Sequence, residues 1–284
     1  GSGNYTVDVN TTDLQADNTI DASVASSDSA GNTVVSNAVE HAISFDTVAD
    51  AGTITIGTVA GDDVINAVEA GAATIAVSGT ATGGDISTGD TVTVTVNGQD
   101  YTTTVDGSGN YTVDVNTTDL QADNTIDASV ASSDSAGNTV VSNAVEHAIS
   151  FDTVADAGTI TIGTVAGDDV INAVEAGAAT IAVSGTATGG DISTGDTVTV
   201  TVNGQDYTTT VDGSGNYTVD VNTTDLQADN TIDASVASSD SVGNTVVSNA
   251  VEHAISFDTV ADAGTITIGT VAGDDVINAV EAGA

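Results

Sequence analysis

Apolar and polar residues alternate over long stretches of the chain. Thr91-Val92-Thr93-Val94-Thr95-Val96 and Tyr111-Thr112-Val113-Asp114-Val115 each place every second side chain on one face. A period of two describes half-buried β-strands, and Val, Ile and Thr suit a pleated surface by shape. In the central part of the chain the pattern predicts seven strands, at residues 53–59, 74–82, 91–96, 101–105, 111–115, 125–132 and 139–151. Gly, Asn and Asp punctuate them. Asn97-Gly98 predicts a tight hairpin turn with positive backbone angles, and Gly107-Ser108-Gly109-Asn110 a longer one.

The pattern repeats. Residues 1–178 match residues 107–284 at an offset of 106, with one difference, Ala136 against Val242. A period of this length is a domain rather than a solenoid unit. Seven short strands with turn signals about every 8 to 12 residues predict an all-β chain of tandem immunoglobulin-like sandwiches joined end to end. The least strand-like stretch is Asp46-Thr47-Val48-Ala49-Asp50-Ala51-Gly52, which recurs from Asp152 and Asp258. With linkers placed there, complete domains span 46–151 and 152–257. Residues 1–45 are then the last strands of one repeat and 258–284 the beginning of another. Such end pieces cannot bury their own faces, which suggests a segment of a longer array.

Composition changes the picture by what is missing. Of 284 residues, 41 are Asp or Glu and none is Lys or Arg, so the formal charge is -41. A chain without cationic side chains cannot neutralise phosphates, which argues against nucleic acid and against contact of this segment with anionic membranes. No apolar run approaches the ~18 residues that span a bilayer. Cys, Met, Trp and Pro are absent, so disulfides and thiolate metal sites are excluded and the core must be thin, built of Val, Ile and Ala. Acidity with few aromatics often marks disorder, but charged residues are only 14% here and the apolar ones keep a strict period.

The carboxylates concentrate in turns. Gly61-Asp62-Asp63-Val64-Ile65-Asn66-Ala67-Val68-Glu69 falls between the first two strands, at the pole where the last strand leaves the domain. It is expected beside the following linker with Asp152 and Asp156, and near the Asp191 and Asp240 loops of the next repeat. The equivalent sets are Asp168, Asp169, Asn172 and Glu175 with Asp258 and Asp262, and Asp46, Asp50 and Asp134 earlier in the chain. Unpaired carboxylates at 4 Å repel by about 1 kcal/mol even in water. Hard oxygen donors on loops, without His or Cys, suit Ca²⁺, which takes about 6 to 8 oxygens, better than Mg²⁺, which keeps its waters. A solvated acidic turn is the plainer alternative for any single Asp.

Other motifs are weaker. Asp106-Gly107-Ser108-Gly109-Asn110 resembles the start of an EF-hand loop, but its twelfth position is Thr117 rather than Glu, so a hairpin turn is the better reading. His147 shares strand parity with Val145, Ile149 and Phe151 and is read as a structural histidine facing the core or a junction. The Thr rows at 91, 93, 95 and 102–104 could order water, though strand propensity accounts for them. No nucleophile elbow or phosphate loop is present, so neither catalysis nor a small-molecule substrate is expected.

The runs Ile54-Thr55-Ile56, Ala60-Gly61-Asp62-Asp63-Val64-Ile65-Asn66-Ala67-Val68-Glu69, Ile75-Ala76-Val77-Ser78-Gly79-Thr80 and Asp134-Ser135-Ala136-Gly137-Asn138-Thr139 resemble bacterial Ig-like extender repeats of giant RTX adhesins. The resemblance covers every period. It implies export by type I secretion, anchorage at a Gram-negative outer membrane, and a stalk stiffened by Ca²⁺ whose partners are neighbouring identical repeats. The expected function is therefore a structural extender holding a distal binding region away from the cell. The alternative is a multivalent module in which each repeat weakly grips a glycan or surface, though few aromatics are available for glycan stacking.

Overall fold

The structure, a computed structural model, describes residues 3–271 and 273–283. By contact the chain forms two compact units, residues up to 65 with 69–151, and residues 66–68 with 152 onward. Nearly all regular structure is β.

In the first complete repeat the elements are β1 (Thr53–Ile56), β2 (Val64–Ile65), α1 (Ala67–Ala70), β3 (Thr74–Thr82), β4 (Thr91–Val96), β5 (Gln99–Thr104), β6 (Asn110–Asn116), α2 (Thr117–Ala122), β7 (Thr125–Ser133), β8 (Thr139–Asn143), β9 (His147–Ala148) and β10 (Ser150–Phe151). One antiparallel sheet runs β6-β3-β1 and the other β8-β7-β4-β5. This is the immunoglobulin-like sandwich. The alternation seen in the sequence is the reason: Val92, Val94 and Val96 point inward from β4 and are at most 1% exposed, while their Thr neighbours stay on the outer side. Val77, Val115, Ile126 and Val130 meet them, Tyr111 is buried among them, and Tyr101 and Phe151 pack against that core from its edge.

Tyr111 donates its hydroxyl to the Thr55 carbonyl at 2.9 Å, and Gly79 of the intervening strand gives it room. A Cβ on Gly79 would lie 1.9 Å from the Thr55 oxygen and 2.7 Å from the Tyr111 hydroxyl.

Three expectations need correction. The span 139–151 is not one strand. Asn143 pairs with Ser129 and His147 with Ile126, so four steps on one side match three on the other, which is a β-bulge. The bulge breaks the parity assumed for His147: Val145 is 89% exposed, Ile149 is buried, and His147 is half-buried. Beyond β9 the chain leaves β7, and β10 pairs in parallel with β2, Ser150 opposite Val64.

The turn at 106–110 is real, since Asp106 Oδ1 accepts the Ser108 and Asn110 N–H groups at 2.7 and 2.9 Å. It is not a hairpin, because β5 and β6 belong to opposite sheets. Residues 117–122 are helical where the sequence suggested only a connection. By contrast Asn97 and Gly98, with φ of 52° and 69°, form the expected tight turn between β4 and β5.

The second repeat follows the same plan, with sheets Thr159–Ile162/Thr180–Thr188/Asn216–Asn222 and Gln205–Thr210/Thr197–Val202/Thr231–Ser239/Thr245–Asn249. A 3₁₀ turn, Glu175–Gly177, replaces the short α1. The flanking stretches are far less covered. Ser23–Ser27 and Thr33–Asn37 form a ladder, yet Val24 is 61% exposed while the identical position Val130 is fully buried. Residues 3–45 contain no facing sheet to cover it.

Candidate metal centre

Strand directions sort the loops of each repeat into two poles. In the first repeat the linker at 46–52, the β3–β4 loop, the 106–110 turn and the β7–β8 loop meet at the leading pole. The β1–β3 segment, the Asn97-Gly98 turn, α2 and the bulge meet at the trailing pole.

At the leading pole the linker is strapped to its own sandwich. Asp50 donates its N–H to Asp85 Oδ2 at 2.6 Å, and Asp85 returns its N–H to the Asp50 carbonyl at 2.9 Å. Asn138 Nδ2 donates to the Asp46 carbonyl at 3.1 Å and to Asp134 Oδ2 at 2.6 Å, and the Gly52 N–H reaches Ser142 Oγ at 3.0 Å. The backbones approach closely because Gly52 and Gly84 lack side chains: a Cβ on Gly84 would be 2.4 Å from the Asp50 oxygen.

The second repeat copies every bond. Asp156 and Asp191 exchange the same pair, Asn244 Nδ2 joins the Asp152 carbonyl at 2.8 Å to Asp240 Oδ2 at 2.7 Å, and Gly158 reaches Ser248 Oγ at 3.0 Å. The structure thus gathers Asp46, Asp50 and Asp134 at one pole, and Asp152, Asp156, Asp191 and Asp240 at its counterpart. The two asparagines and two serines that tie the linker down were not singled out in the sequence. The recurring Asp-x-x-x-Asn spacing of 134–138 and 240–244, typical of a side-chain-closed turn, was the available signal.

The trailing-pole acids build their own loop. Asp62 Oδ1 accepts the Val64 N–H at 3.0 Å, and Asp63 Oδ1 accepts the Val59 N–H at 2.8 Å and bonds His147 Nε2 at 2.7 Å. Asn66 Oδ1 accepts the Val68 N–H at 2.9 Å. In the second repeat Asp168, Asp169 and His253 repeat these bonds. There Asn172 and Glu175 form a capping box: Asn172 Oδ1 accepts the Val174 and Glu175 N–H groups, and Glu175 Oε2 accepts the Asn172 N–H at 3.0 Å. Glu69 occupies the corresponding place in the first repeat. Asp258 lies in register with Asn172 on the parallel pair, and Asp262 is exposed outside any strand.

Hydrogen bonds hold several of these carboxyls below the usual range. The Asn138 amide does so for Asp134, and the Val165 N–H followed by His253 for Asp169. For Asp63 burial pushes upward, but the Val59 N–H and His147 together outweigh it. The charged forms are therefore built into both poles.

Donor chemistry at the leading pole is all oxygen, carboxylate and carbonyl, which fits a hard cation and not a soft one. Among the described residues no group of three or more Asp, Glu or His is close enough together to hold a metal ion, so binding there needs the carboxylates to close around it. No helix among them is long and apolar enough to cross a membrane.

The chain matches no protein-family profile and no curated protein sequence. Among solved structures it is similar to a Ca²⁺-stabilised adhesin that helps an Antarctic bacterium reach out and bind ice, at 55% identity and a TM-score of 0.74, over 98% of this chain and 66% of that one. A 1.5-MDa bacterial ice-binding adhesin, solved in connection with host cell surface retention, is 45% identical with a TM-score of 0.74, over 88% of this chain and 78% of that one. A bacterial immunoglobulin-like domain from the M. primoryensis ice-binding adhesin is 56% identical over 37% of this chain and 100% of that one, with a TM-score of 0.35. The chain spans just under two-thirds of the first of these.

Proposed function

Because the chain belongs to the repeat-bearing bacterial ice-binding adhesins, we propose that it is a stalk segment, a non-catalytic spacer of tandem sandwiches on the outside of a bacterial cell. Its repeats, 46–151 and 152–257 with parts of further repeats at 1–45 and 258–284, have each other as partners. They take no small-molecule substrate and make no membrane contact of their own. Ca²⁺ stiffens the array. It is drawn to the leading-pole acids Asp46, Asp50, Asp134 and their equivalents Asp152, Asp156, Asp191 and Asp240. The trailing-pole set Asp62, Asp63, Asn66, Glu69, with Asp168, Asp169, Asn172, Glu175, Asp258 and Asp262, supplies further donors.

One observation carries the reading. In both repeats the linker is clamped to its sandwich by the same bonds, among carboxylates that no basic side chain offsets. A linker held to its sandwich in this way has little slack, which suits a spacer better than a multivalent binder on flexible tethers.

Calorimetric unfolding in calcium and in chelator tests the proposal. A cation that binds the folded chain and not the unfolded one adds about 2.7 kcal/mol when its concentration is 100 times its dissociation constant. A higher melting temperature in calcium is expected. Identical melting in both conditions would overturn the calcium reading, and scattering profiles that stay compact as repeats are added would overturn the spacer.

A further inference from the structure

We propose that Asn97 and Asn203 are sites of spontaneous deamidation, and that their conversion loosens the trailing pole of each repeat. They are the two asparagines of the chain that precede glycine. Each sits at the tip of a two-residue turn, exposed, and followed by a glycine, Gly98 or Gly204, on which a Cβ would meet nothing within 4 Å.

The chemistry requires nothing beyond water and a base from the solvent. The Gly98 nitrogen loses its proton to that base and attacks Asn97 Cγ. The Cγ–Nδ2 bond breaks and the nitrogen leaves as ammonia, having taken a proton from water. The resulting cyclic imide is opened by water at either carbonyl, giving an aspartyl residue in the normal backbone or an isoaspartyl residue with one extra backbone carbon.

The structure assigns a cost to both products. Asn97 Nδ2 donates to Asp119 Oδ1 at 3.1 Å, the other oxygen of Asp119 accepts the Tyr101 hydroxyl, and the Asn97 N–H lies against Asp123. The same set recurs as Asn203, Asp225 and Tyr207. Conversion replaces a donor by a carboxylate facing the carboxylate of Asp119, with Asp123 alongside and no Lys or Arg in the chain to offset them. The aspartyl form keeps the backbone turn, which Asp-Gly also favours. The isoaspartyl form lengthens a two-residue turn whose closing pair is Val96 opposite Gln99, so β4 and β5 lose their register at that end.

Because the reaction uses only this turn, it stands or falls independently of the stalk reading. The folded chain is incubated at mildly alkaline pH, then mapped by peptide mass and by isoaspartyl methyltransferase labelling. Residues 97 and 203 are expected to convert before any other asparagine, and the aged protein to melt lower than the fresh one. N97D/N203D should melt lower too, but by less, because it carries the charge without the longer backbone. N97Q/N203Q should remove the early conversions. Other asparagines converting as fast as these two, or a fully converted sample with an unchanged melting temperature, would overturn the proposal.

Discussion

Removing the Asn138 side chain takes away one of the linker's straps and leaves the Asp50–Asp85 and Gly52–Ser142 bonds in place, which makes Asn138→Ala a sharp probe of whether the leading pole opens as a unit. The substitution deletes the bond to the Asp46 carbonyl and the charge-assisted bond to Asp134, while the Asn138 N–H to Asp134 Oδ1 survives. A neutral bond contributes about 0.5–1.5 kcal/mol and one to a charged group about 1.5–3, and exposure of this site places the sum near the lower end, about 2 kcal/mol. At about 1.4 kcal/mol per tenfold, that is roughly a 30-fold rise in the local opening constant.

Hydrogen exchange reads it directly. The Asp50 and Gly52 N–H groups, bonded to Asp85 and Ser142, are the reporters. They should exchange roughly 30-fold faster in the variant, with the amides of β4 and β7 unchanged. Asn244→Ala should do the same for Asp156 and Gly158 in the second repeat, since its bonds are the same. If linker exchange is unaltered while the variant stays folded, the strap does not hold the linker, and the spacer reading loses the observation it rests on.

Gly79→Ala and Gly185→Ala should each destabilise their sandwich by about 3 kcal/mol, from the displaced Tyr hydroxyl bond and the strain of overpacking. A normal melting temperature would refute it. Burial pushes the Tyr111 hydroxyl up to about 12. A folded value raised above the unfolded 10.0 contributes stability present below that pH and lost as pH rises towards 12, so alkaline unfolding should steepen there, and Tyr111→Phe should flatten the profile. At the acid end the Asn110 and Ser108 N–H groups hold Asp106 below its unfolded 3.8. That contribution is present above about pH 4 and lost as pH falls through the folded value, so Asp106→Asn should lose less stability on acidification. Parallel melting profiles for variant and wild type would count against it.

The parts of the fold that the sequence disclosed are those where a local rule and the tertiary structure agree. Thr91–Val96 and Thr74–Thr82 form strands with the bounds the pattern predicts, because no inward residue is polar and the outward ones are small and, Ala76 apart, polar. Asn97-Gly98 forms its turn because both residues tolerate positive φ. The helix Thr117–Ala122 escaped because six residues with one fully buried apolar side chain, Leu120, are too short to reveal a helical period. The bulge at 144–146 escaped for a different reason. Ala144 and Val145 are apolar enough to continue the strand, and the extra residue shows only in the pairing, where the four steps from Asn143 to His147 face the three from Ser129 to Ile126.

The same contrast divides the acidic residues. The trailing-pole motif closes on itself wherever it occurs: in the last stretch of the chain Asp274 still accepts the Val276 N–H, Asp275 the Val271 N–H, and Asn278 still pairs with Glu281, although Ile266 and Ile268 nearby are 90% exposed or more. That loop is encoded locally, so its spacing is legible, but the same local bonds explain much of why those residues are there. The leading pole is encoded at a distance. Asp50 meets Asp85 across 35 positions and Asn138 meets Asp46 across 92, separations at which no spacing in the sequence reveals a contact. At the leading pole acidic residues serve a linker they are far from in sequence, so a function that acts through the linker is better argued from that pole than from the conspicuous Asp-Asp motif.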